Sequence, residues 1–304
     1  MSERRERLSV DLLELTKHFK NTRDPNYFFE SEEHLEAFER LKYAVESEEK
    51  LAILTGEIGA GKTFTKTVFK ISLDTTKYEV VDINDASGTF NQILYDIVGR
   101  LKGETIMKSS NYRTNLLKRL FEEELTKIAV EKGKYLVIFL DDAQAIGGTN
   151  ARPSSKKAHL EQIRLLTNID LLDKNLMTII LIGQPELRKY VSELPQLEDR
   201  AAPPYHLNAF DLDTTQEYIN FRLSKGGVSG IFDQQAIRLV LSYSKGLPRR
   251  ITRMCYVCLF VAGNFGLNTV DDRIAHIVYD DFKSGNRRWE KDAERELGNQ
   301  TEPD

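Results

Sequence analysis

The stretch LAILTGEIGAGKTF, residues 51–64, decides the fold of this chain. It opens with an apolar run from Leu51 to Thr55, which predicts a buried β-strand. A glycine-rich loop of the pattern G-x-x-x-x-G-K-[ST] follows, and then a helix. The residues predicted to hold phosphate groups are Gly56, Glu57, Ile58, Gly59, Ala60, Gly61, Lys62 and Thr63. The alternative is a glycine-rich turn with a solvated lysine, and the strand–loop–helix setting argues against it.

Each part of this loop has a chemical task. Glycines allow a tight backbone whose N–H groups point inward at phosphate oxygens. The following helix presents its positive N-terminal end to the same anion. Lys62 is expected to reach the β- and γ-phosphates, and Thr63 is expected to bind Mg²⁺. The loop therefore predicts a nucleoside triphosphate with magnesium as the ligand.

The composition places the chain among ordinary globular proteins. It has 304 residues and a net charge of −4, which is too mild to attract nucleic acid without a local basic patch. No stretch approaches the ~20 apolar residues of a membrane-spanning helix. The N-terminus MSERRERLSVDLLEL lacks the apolar segment of a secretory signal. A cytoplasmic location without a membrane span is the resulting expectation.

Strand and helix patterns alternate over residues 50–208, which predicts a parallel sheet covered by helices on both faces. After Asp211 only helical patterns remain, and these predict a small helical bundle. The predicted segments are a polar N-terminal extension at 1–24, an α/β nucleotide-binding core at 25–210, a helical lid at 211–285 and a charged, disordered tail at 286–304.

An acidic pair ends the second buried strand of this core. The run Tyr135 to Leu140 is continuously apolar and is followed by Asp141 and Asp142. Asp141 stands where a carboxylate is expected to hold Mg²⁺ through water. Asp142 is the candidate base that positions the attacking water, a role that most related ATPases give to a glutamate. A plain strand-end turn is the alternative interpretation.

Three further side chains are candidates for the γ-phosphate. Gln184 ends a buried strand and matches the position called sensor 1, although Gln-Pro is also a good turn starter. Arg249 lies in the first turn of a helix and matches sensor 2, with Arg250 and Arg253 as neighbouring candidates. Arg200 matches an arginine finger offered to the nucleotide of the next subunit. A surface ion pair with a neighbouring acidic residue is equally compatible with its sequence context.

Two cysteines, Cys255 and Cys258, form a C-x-x-C pattern inside the apolar stretch MCYVCLFVAG. A redox or metal site of this kind needs a second ligand pair or a strand-to-helix setting, and neither is present in the sequence. At this spacing both thiols share one face of an apolar helix. We therefore expect them to be buried and inert.

Seven collinear segments between residues 25 and 280 resemble AAA+ ATPases of the ExeA/GspA-like family, which includes TnsC-like transposition regulators. They are NYFFESEEHLEAFERLKYAV, LTGEIGAGKT, LVIFLDDAQ, HLEQIRLLTNID, IILIGQPELR, YHLNAFDLDTTQEYINFRL and KGLPRRITRMC. The resemblance implies a five-stranded parallel sheet with a helical lid, and ATP bound where subunits meet in a ring or filament. It also implies that Tyr27 or Phe28 lines the adenine pocket.

The sequence departs from the family pattern at three places. Asp142 replaces the usual glutamate, a basic polar loop is inserted at Gly147 to Lys157, and the chain ends soon after the lid. The last two departures favour a DNA-associated, TnsC-like ATPase with duplex DNA and a transposase as partners. The alternatives are a secretion-assembly ATPase without its membrane anchor and an ATP-gated scaffold that hydrolyses slowly or not at all.

Overall fold

A computed structural model describes residues 11–103, 114–171 and 174–284 of the chain. The tail predicted at 286–304 lies outside these described residues. Within them the chain forms two compact units. The core unit is Glu30–Asn208, and the helical unit consists of the described residues 11–29 and 209–284.

The core unit is built on one five-stranded parallel sheet. Its strands are β1 (Leu51–Gly56), β2 (Tyr78–Ile83), β3 (Tyr135–Leu140), β4 (Met177–Gly183) and β5 (Tyr205–Leu207). Their order across the sheet is β2-β3-β4-β1-β5. Leu54 of β1 pairs with Ile182 of β4 on one side and with Tyr205 of β5 on the other. The predicted five-stranded P-loop fold is confirmed.

Strands β3 and β4 are apolar along nearly their whole length. Every residue of β4 is buried, and so is every residue of β3 after Tyr135. Such strands are stable only when both faces of the sheet are covered. Parallel strands bring their carboxyl ends to one edge, so the polar residues that follow β1, β2, β3 and β4 meet there.

Six longer helices surround this sheet in the described part of the core unit. They are α1 (Glu32–Glu46), α2 (Lys62–Ser72), α3 (Phe90–Lys102), α4 (Thr114–Thr126), α5 (Pro153–Leu166) and α6 (Pro185–Ser192). Side-chain caps fix two of their starts. Ser31 accepts the backbone N–H of His34 at the start of α1, and Thr89 forms a capping box with Gln92 at the start of α3.

Shorter elements join these helices and strands. A π-helical turn at Lys127–Glu131 extends α4, and single turns lie at Ala143–Ala145 and Pro195–Glu198. A two-stranded antiparallel pair, Asp170–Leu171 with Lys174–Asn175, precedes β4.

The basic loop predicted at Gly147 to Lys157 is shorter than expected. Helix α5 begins at Pro153, so the second half of that segment is helical. Proline is well suited to the first helical position because its missing N–H has no intrahelical acceptor there. The composition of the segment predicted a loop for this proline and its neighbouring serines, and that part of the prediction was wrong.

The helical unit has four longer helices among its described residues. They are α7 (Leu212–Ser224), α8 (Gln234–Ser244), α9 (Pro248–Asn264) and α10 (Asp272–Ser284). Cys255 and Cys258 of α9 are fully buried, and burial raises the pKa of both thiols. Both therefore stay protonated and unreactive at neutral pH, as their helical spacing predicted.

Residues 11–24, the described part of the predicted polar extension, belong to this helical unit. A helical turn at Leu12–Leu15 and a 3₁₀ turn at Thr16–Phe19 place Leu12, Leu15 and Phe19 in the same hydrophobic cluster as α7–α10. The extension is therefore not separate from the lid. No helix in the described parts of the chain is long and apolar enough to cross a membrane.

Candidate functional site

The glycine-rich loop lies between the end of β1 and the start of α2, at the carboxyl edge of the sheet. Gly59 and Gly61 have φ angles of 91° and 110°, which L side chains rarely adopt. At Gly56 an added Cβ would lie 2.8 Å from the carbonyl oxygen of Leu207. The turn therefore requires glycine for its conformation at two positions and for its close packing at a third.

Lys62 is the first residue of α2 and folds back over this loop. Its Nζ donates hydrogen bonds to the carbonyl oxygens of Gly56 at 2.7 Å and of Glu57 at 2.9 Å. The ammonium group is thus held beside the N-terminal end of the helix. Both the charge and the helix dipole favour an anion at this point.

Thr63 connects the loop to the acidic strand end. Its Oγ1 donates to Oδ2 of Asp141 at 3.0 Å, although the two residues are 78 positions apart. Strand β4 lies between β1 and β3, so this contact spans the width of one intervening strand. A hydroxyl beside a carboxylate provides the hard oxygen ligands that Mg²⁺ prefers. These two residues fit a magnesium ion that takes its remaining ligands from water and phosphate.

The Asp141 carboxylate is 5% exposed and is held from several sides. Its Oδ1 accepts the backbone N–H of Asp142 at 3.0 Å, and its Oδ2 also lies 3.1 Å from Nζ of Lys66. Its backbone N–H donates to the carbonyl oxygen of Ile83 at 2.9 Å. The side chain that would meet a metal is therefore fixed before any ligand arrives.

Asp142 is exposed and has φ 56°, in the left-handed region that aspartate and asparagine enter more readily than most residues. Its Oδ1 accepts a hydrogen bond from Nε2 of Gln144 at 3.2 Å. Oε1 of Gln144 in turn accepts the backbone N–H of Gln184 at 3.0 Å. One side chain thus links the candidate base to the candidate sensor 1. Gln144 is the last residue of the DDAQ segment and was not among the site residues predicted from the sequence.

His34 on α1 supports the phosphate loop and was also missed. Its Nε2 lies 3.2 Å from the carbonyl oxygen of Ala60, and its Nδ1 lies 2.7 Å from Oγ of Ser31. A carbonyl can only accept, so Nε2 carries the proton and Nδ1 accepts from the Ser31 hydroxyl. An added Cβ at Gly61 would collide with the same ring. Its signal in the sequence was a histidine in the first turn of α1.

Burial lowers the pKa of His34 from its usual 6.5 to about 4. As the pH falls, His34 is protonated in the unfolded chain near pH 6.5 but in the folded chain only near pH 4. Protonation therefore favours the unfolded chain between these values. The contribution of neutral His34 to stability is complete above pH 6.5 and is lost as the pH falls toward 4. We expect the free energy of unfolding to drop by about 2–3 kcal/mol over this window through His34 alone. Replacing His34 with Gln, which keeps a hydrogen-bond donor and an acceptor, should remove this part of the pH dependence of the unfolding free energy.

Urea unfolding of wild type and His34→Gln at pH 7 and pH 4.5 measures the difference. His159→Gln is the matched control, because it removes a partly exposed histidine from the same unit. Equal pH dependence in wild type and His34→Gln would contradict the neutral, buried state of His34.

Comparison with known proteins agrees with this geometry. Residues 45–191, from the end of α1 to the end of α6, match the family described as the AAA domain. This segment is an AAA domain. It contains the phosphate loop, Asp141, Asp142, Gln144 and Gln184.

One related protein is similar over a longer part of the chain. General secretion pathway protein A of Aeromonas hydrophila is 31% identical over 247 residues, which are 80% of this chain. The chain spans only 43% of that relative's length. The resemblance to the ExeA/GspA-like AAA+ family, inferred from seven segments of sequence, is confirmed.

Solved structures share the fold at lower identity. Cdc6p from Pyrobaculum aerophilum superposes with a TM-score of 0.62 at 15% identity, covering 84% of this chain and 67% of that one. Drosophila ORC bound to DNA superposes with the same TM-score at 18% identity, covering 91% of this chain and 68% of that one. These likenesses establish the fold and nothing about partners.

The lysines of the predicted basic loop are engaged inside the core unit. Lys156 is 8% exposed, and its Nζ donates to the carbonyl oxygens of Gln144 at 3.0 Å and Thr149 at 3.4 Å. Lys157 forms an ion pair with Glu193. Lys156 therefore braces the turn that carries Asp142, and neither lysine is simply a solvated cation on a flexible loop.

Arg200 lies beyond the matched segment, between the Pro195–Glu198 turn and β5. Its guanidinium donates to Oδ1 of Asn168 and, at 3.4 Å, to Oγ1 of Thr167, both just after α5. These partners are a hydroxyl and an amide, whereas the alternative interpretation expected a neighbouring acidic residue. Its role as an arginine finger stays a prediction.

Three other predicted site residues belong to the helical unit. The hydroxyl of Tyr27 lies 2.8 Å from Nδ1 of His18, and the guanidinium of Arg222 lies over its ring. Phe28 follows directly, and Arg249 is exposed in the first turn of α9. The adenine contacts of Tyr27 and Phe28 and the γ-phosphate contact of Arg249 stay predictions.

Proposed function

We propose that the AAA domain binds ATP with Mg²⁺ on its phosphate loop and hydrolyses it. The observation that carries this proposal is the 3.0 Å hydrogen bond between Thr63 and Asp141. The loop motif and the acidic strand end are two independent sequence signals far apart in the chain. Their convergence at one point supports a common ligand, and a magnesium–triphosphate unit needs both.

Different residues of the site would bind the phosphates, hold the metal ion and activate water. Lys62, the loop amides and the N-terminal end of α2 would bind the phosphates, and Thr63 and Asp141 would hold Mg²⁺. When bound, the metal ion supplies positive charge that stabilises the phosphate oxygens as the terminal group is transferred. Asp142 would orient the attacking water and accept its proton, and Gln184 would contact the γ-phosphate.

Gln144 gives Asp142 a fixed direction in this proposal. Without a partner, a carboxylate on an exposed turn would sample several rotamers, and proton transfer requires one geometry. Aspartate is one methylene shorter than the glutamate usual in the family, so its reach depends more strongly on this support. We therefore expect slow but real turnover.

Assembly with further copies of the chain is part of the same proposal. The family resemblance implies a nucleotide bound where subunits meet, in a ring or a filament. Arg200 would then serve a neighbouring protomer as the arginine finger, and Arg249 would act from the lid as sensor 2. The partial exposure of Arg200 is compatible with such a contact.

For the biological role we propose energising the assembly of a secretion apparatus. The identity with general secretion pathway protein A supports this role. One of the two grounds for the rival DNA-associated, TnsC-like role with a transposase as partner was the basic loop at 147–157. Its Lys156 and Lys157 are engaged within the core unit, and its Arg152 is exposed. A scaffold gated by ATP remains the third candidate because of Asp142.

Steady-state ATP hydrolysis with and without duplex DNA separates these roles. We expect magnesium-dependent turnover that is abolished by a chelator and is unchanged by DNA. Turnover stimulated by DNA would overturn the secretion role in favour of the transposition-type regulator. Tight ATP binding without turnover would leave the scaffold, and absence of ATP binding would refute the whole proposal.

A further inference from the structure

A second lysine of α2, one turn after Lys62, lies at the centre of the acidic strand ends. Lys66 is only 1% exposed. Its Nζ lies 2.9 Å from Oδ1 of Asp82, 2.9 Å from Oδ1 of Asn84 and 3.1 Å from Oδ2 of Asp141. The contacts with Asp82 and Asn84 are hydrogen bonds, and the contact with Asp141 is an ion pair. The group is thus a buried cation with three oxygen neighbours.

The surrounding charges balance. Asp82 also accepts a hydrogen bond from Nζ of Lys70 at 2.6 Å. Burial alone opposes ionisation of Asp82, but the hydrogen bonds from Lys70 and Lys66 outweigh it and lower its pKa. Two carboxylates, Asp82 and Asp141, therefore face two ammonium groups, Lys66 and Lys70. The cluster has no net negative charge with which to attract a divalent cation.

Lys66 contacts one particular oxygen of Asp141. This atom, Oδ2, also accepts the hydrogen bond from the hydroxyl of Thr63. A metal ion held by Thr63 and, directly or through water, by Asp141 would meet this ammonium group beside the same carboxylate. Such a like-charge neighbour lowers metal affinity strongly where the environment is partly buried. Phosphate oxygens would add the negative charge that the protein cluster lacks.

We propose that Lys66 is a positioning residue that occupies the Asp141 carboxylate as an internal cation, so that the divalent metal ion enters only together with the nucleotide phosphates. This inference rests on the proposed function, because Asp141 holds a metal ion only within it. Lys66 fixes the position of the carboxylate. It also prevents the site from filling with metal alone.

A purely structural brace is the rival explanation of Lys66, and it predicts a different result. Removing a brace lowers stability and leaves metal affinity unchanged or weaker. Removing an internal cation raises the affinity of the nucleotide-free protein for metal. Binding of Mn²⁺, which replaces Mg²⁺ at oxygen sites and is detected by electron paramagnetic resonance, distinguishes the two without measuring turnover.

The experiment titrates the nucleotide-free full chain with Mn²⁺. We expect Lys66→Met to gain one site at least about tenfold tighter than any site of the wild type, because one positive charge beside Asp141 is gone. Adding Asp141→Asn to Lys66→Met should abolish the gain. Lys70→Met is the matched control, since it removes the same charge from Asp82 but leaves the Lys66–Asp141 contact, and it should gain no site.

Lys66→Gln serves beside Lys66→Met, because glutamine retains an N–H donor for Asp82 or Asn84 and is less disruptive to folding. Thermal unfolding identifies which variants are folded. The inference is overturned if wild type already binds Mn²⁺ tightly without nucleotide, if the folded Lys66 variant gains no site, or if Lys70→Met gains the same site.

Binding of Mn²⁺·ATP to wild type and to Lys62→Ala is measured in parallel. Wild-type protein that fails to bind Mn²⁺·ATP would refute the proposed function itself. Wild-type protein that binds Mn²⁺·ATP, together with a Lys66 variant that gains no metal site, would refute only the role of Lys66.

Discussion

Replacing Lys62 with alanine should weaken ATP binding by on the order of 10²-fold or more. The variant loses charge-assisted hydrogen bonds to phosphate, each of which contributes roughly 1.5–3 kcal/mol, and every 1.4 kcal/mol is about tenfold in affinity. The glycine backbone and the end of α2 remain, so residual binding of phosphate by the loop amides is expected. Isothermal titration calorimetry with ATP and Mg²⁺ measures the loss.

Lys70→Ala is the control for this prediction. Lys70 lies on the same helix, two turns further along, and its side chain is 36% exposed. The Lys70→Ala substitution removes the same charge from α2 but no contact with the loop, so the ATP affinity of this variant should stay within a few-fold of wild type. If Lys62→Ala bound ATP as well as wild type, the assignment of residues 56–63 as the phosphate loop would be wrong.

Replacing Asp142 with asparagine should leave ATP bound but lower its turnover by roughly 10²–10⁴-fold, the usual contribution of a general base. Asparagine has nearly the same shape, enters the left-handed region at least as readily, and can still accept the hydrogen bond from Gln144. Asp141 and Thr63 are unchanged. The loss should therefore appear in kcat, and the affinity for ATP with Mg²⁺ should be preserved.

The matched control for this variant is Asp85→Asn. Asp85 is an exposed carboxylate in the turn after β2, at the same edge of the sheet, and it accepts the backbone N–H of Ser87 at 2.9 Å. Its turnover should remain close to wild type in single-turnover and steady-state assays. Near-normal turnover of Asp142→Asn, with intact binding, would remove Asp142 from the role of base.

Lys62 and Asp142, the residues of these two predictions, both stand in local sequence patterns. The loop motif, each apolar strand and the acidic strand end are each formed by consecutive residues. Their structure therefore depends mainly on the local sequence. The strand Tyr135–Leu140 has the bounds that the sequence predicted, and the predicted strand from Leu51 to Thr55 extends by one residue to Gly56. Buried parallel strands produce continuous apolar runs with polar ends, and such runs are easily recognised.

The errors have a common physical cause. Pro153 and the serines after it are compatible with a loop or with a first helical turn, and packing of α5 decides between them. The polar residues 11–24 contain few apolar side chains, yet Leu12, Leu15 and Phe19 are enough to join the cluster of the helical unit. In both cases the local sequence allows two conformations, and burial elsewhere selects one.

By itself, the sequence determined the phosphate loop, the acidic pair and the parallel sheet, because each is encoded in neighbouring residues. Only the tertiary structure decided that His34 supports Ala60, that Gln144 links Asp142 to Gln184, and that Lys66 fills the space between Asp82 and Asp141. Each of these arrangements joins elements that are separate in the chain. Their formation depends on the strand order, which places the tips of β2 and β3 beside α2, and no local pattern specifies that order.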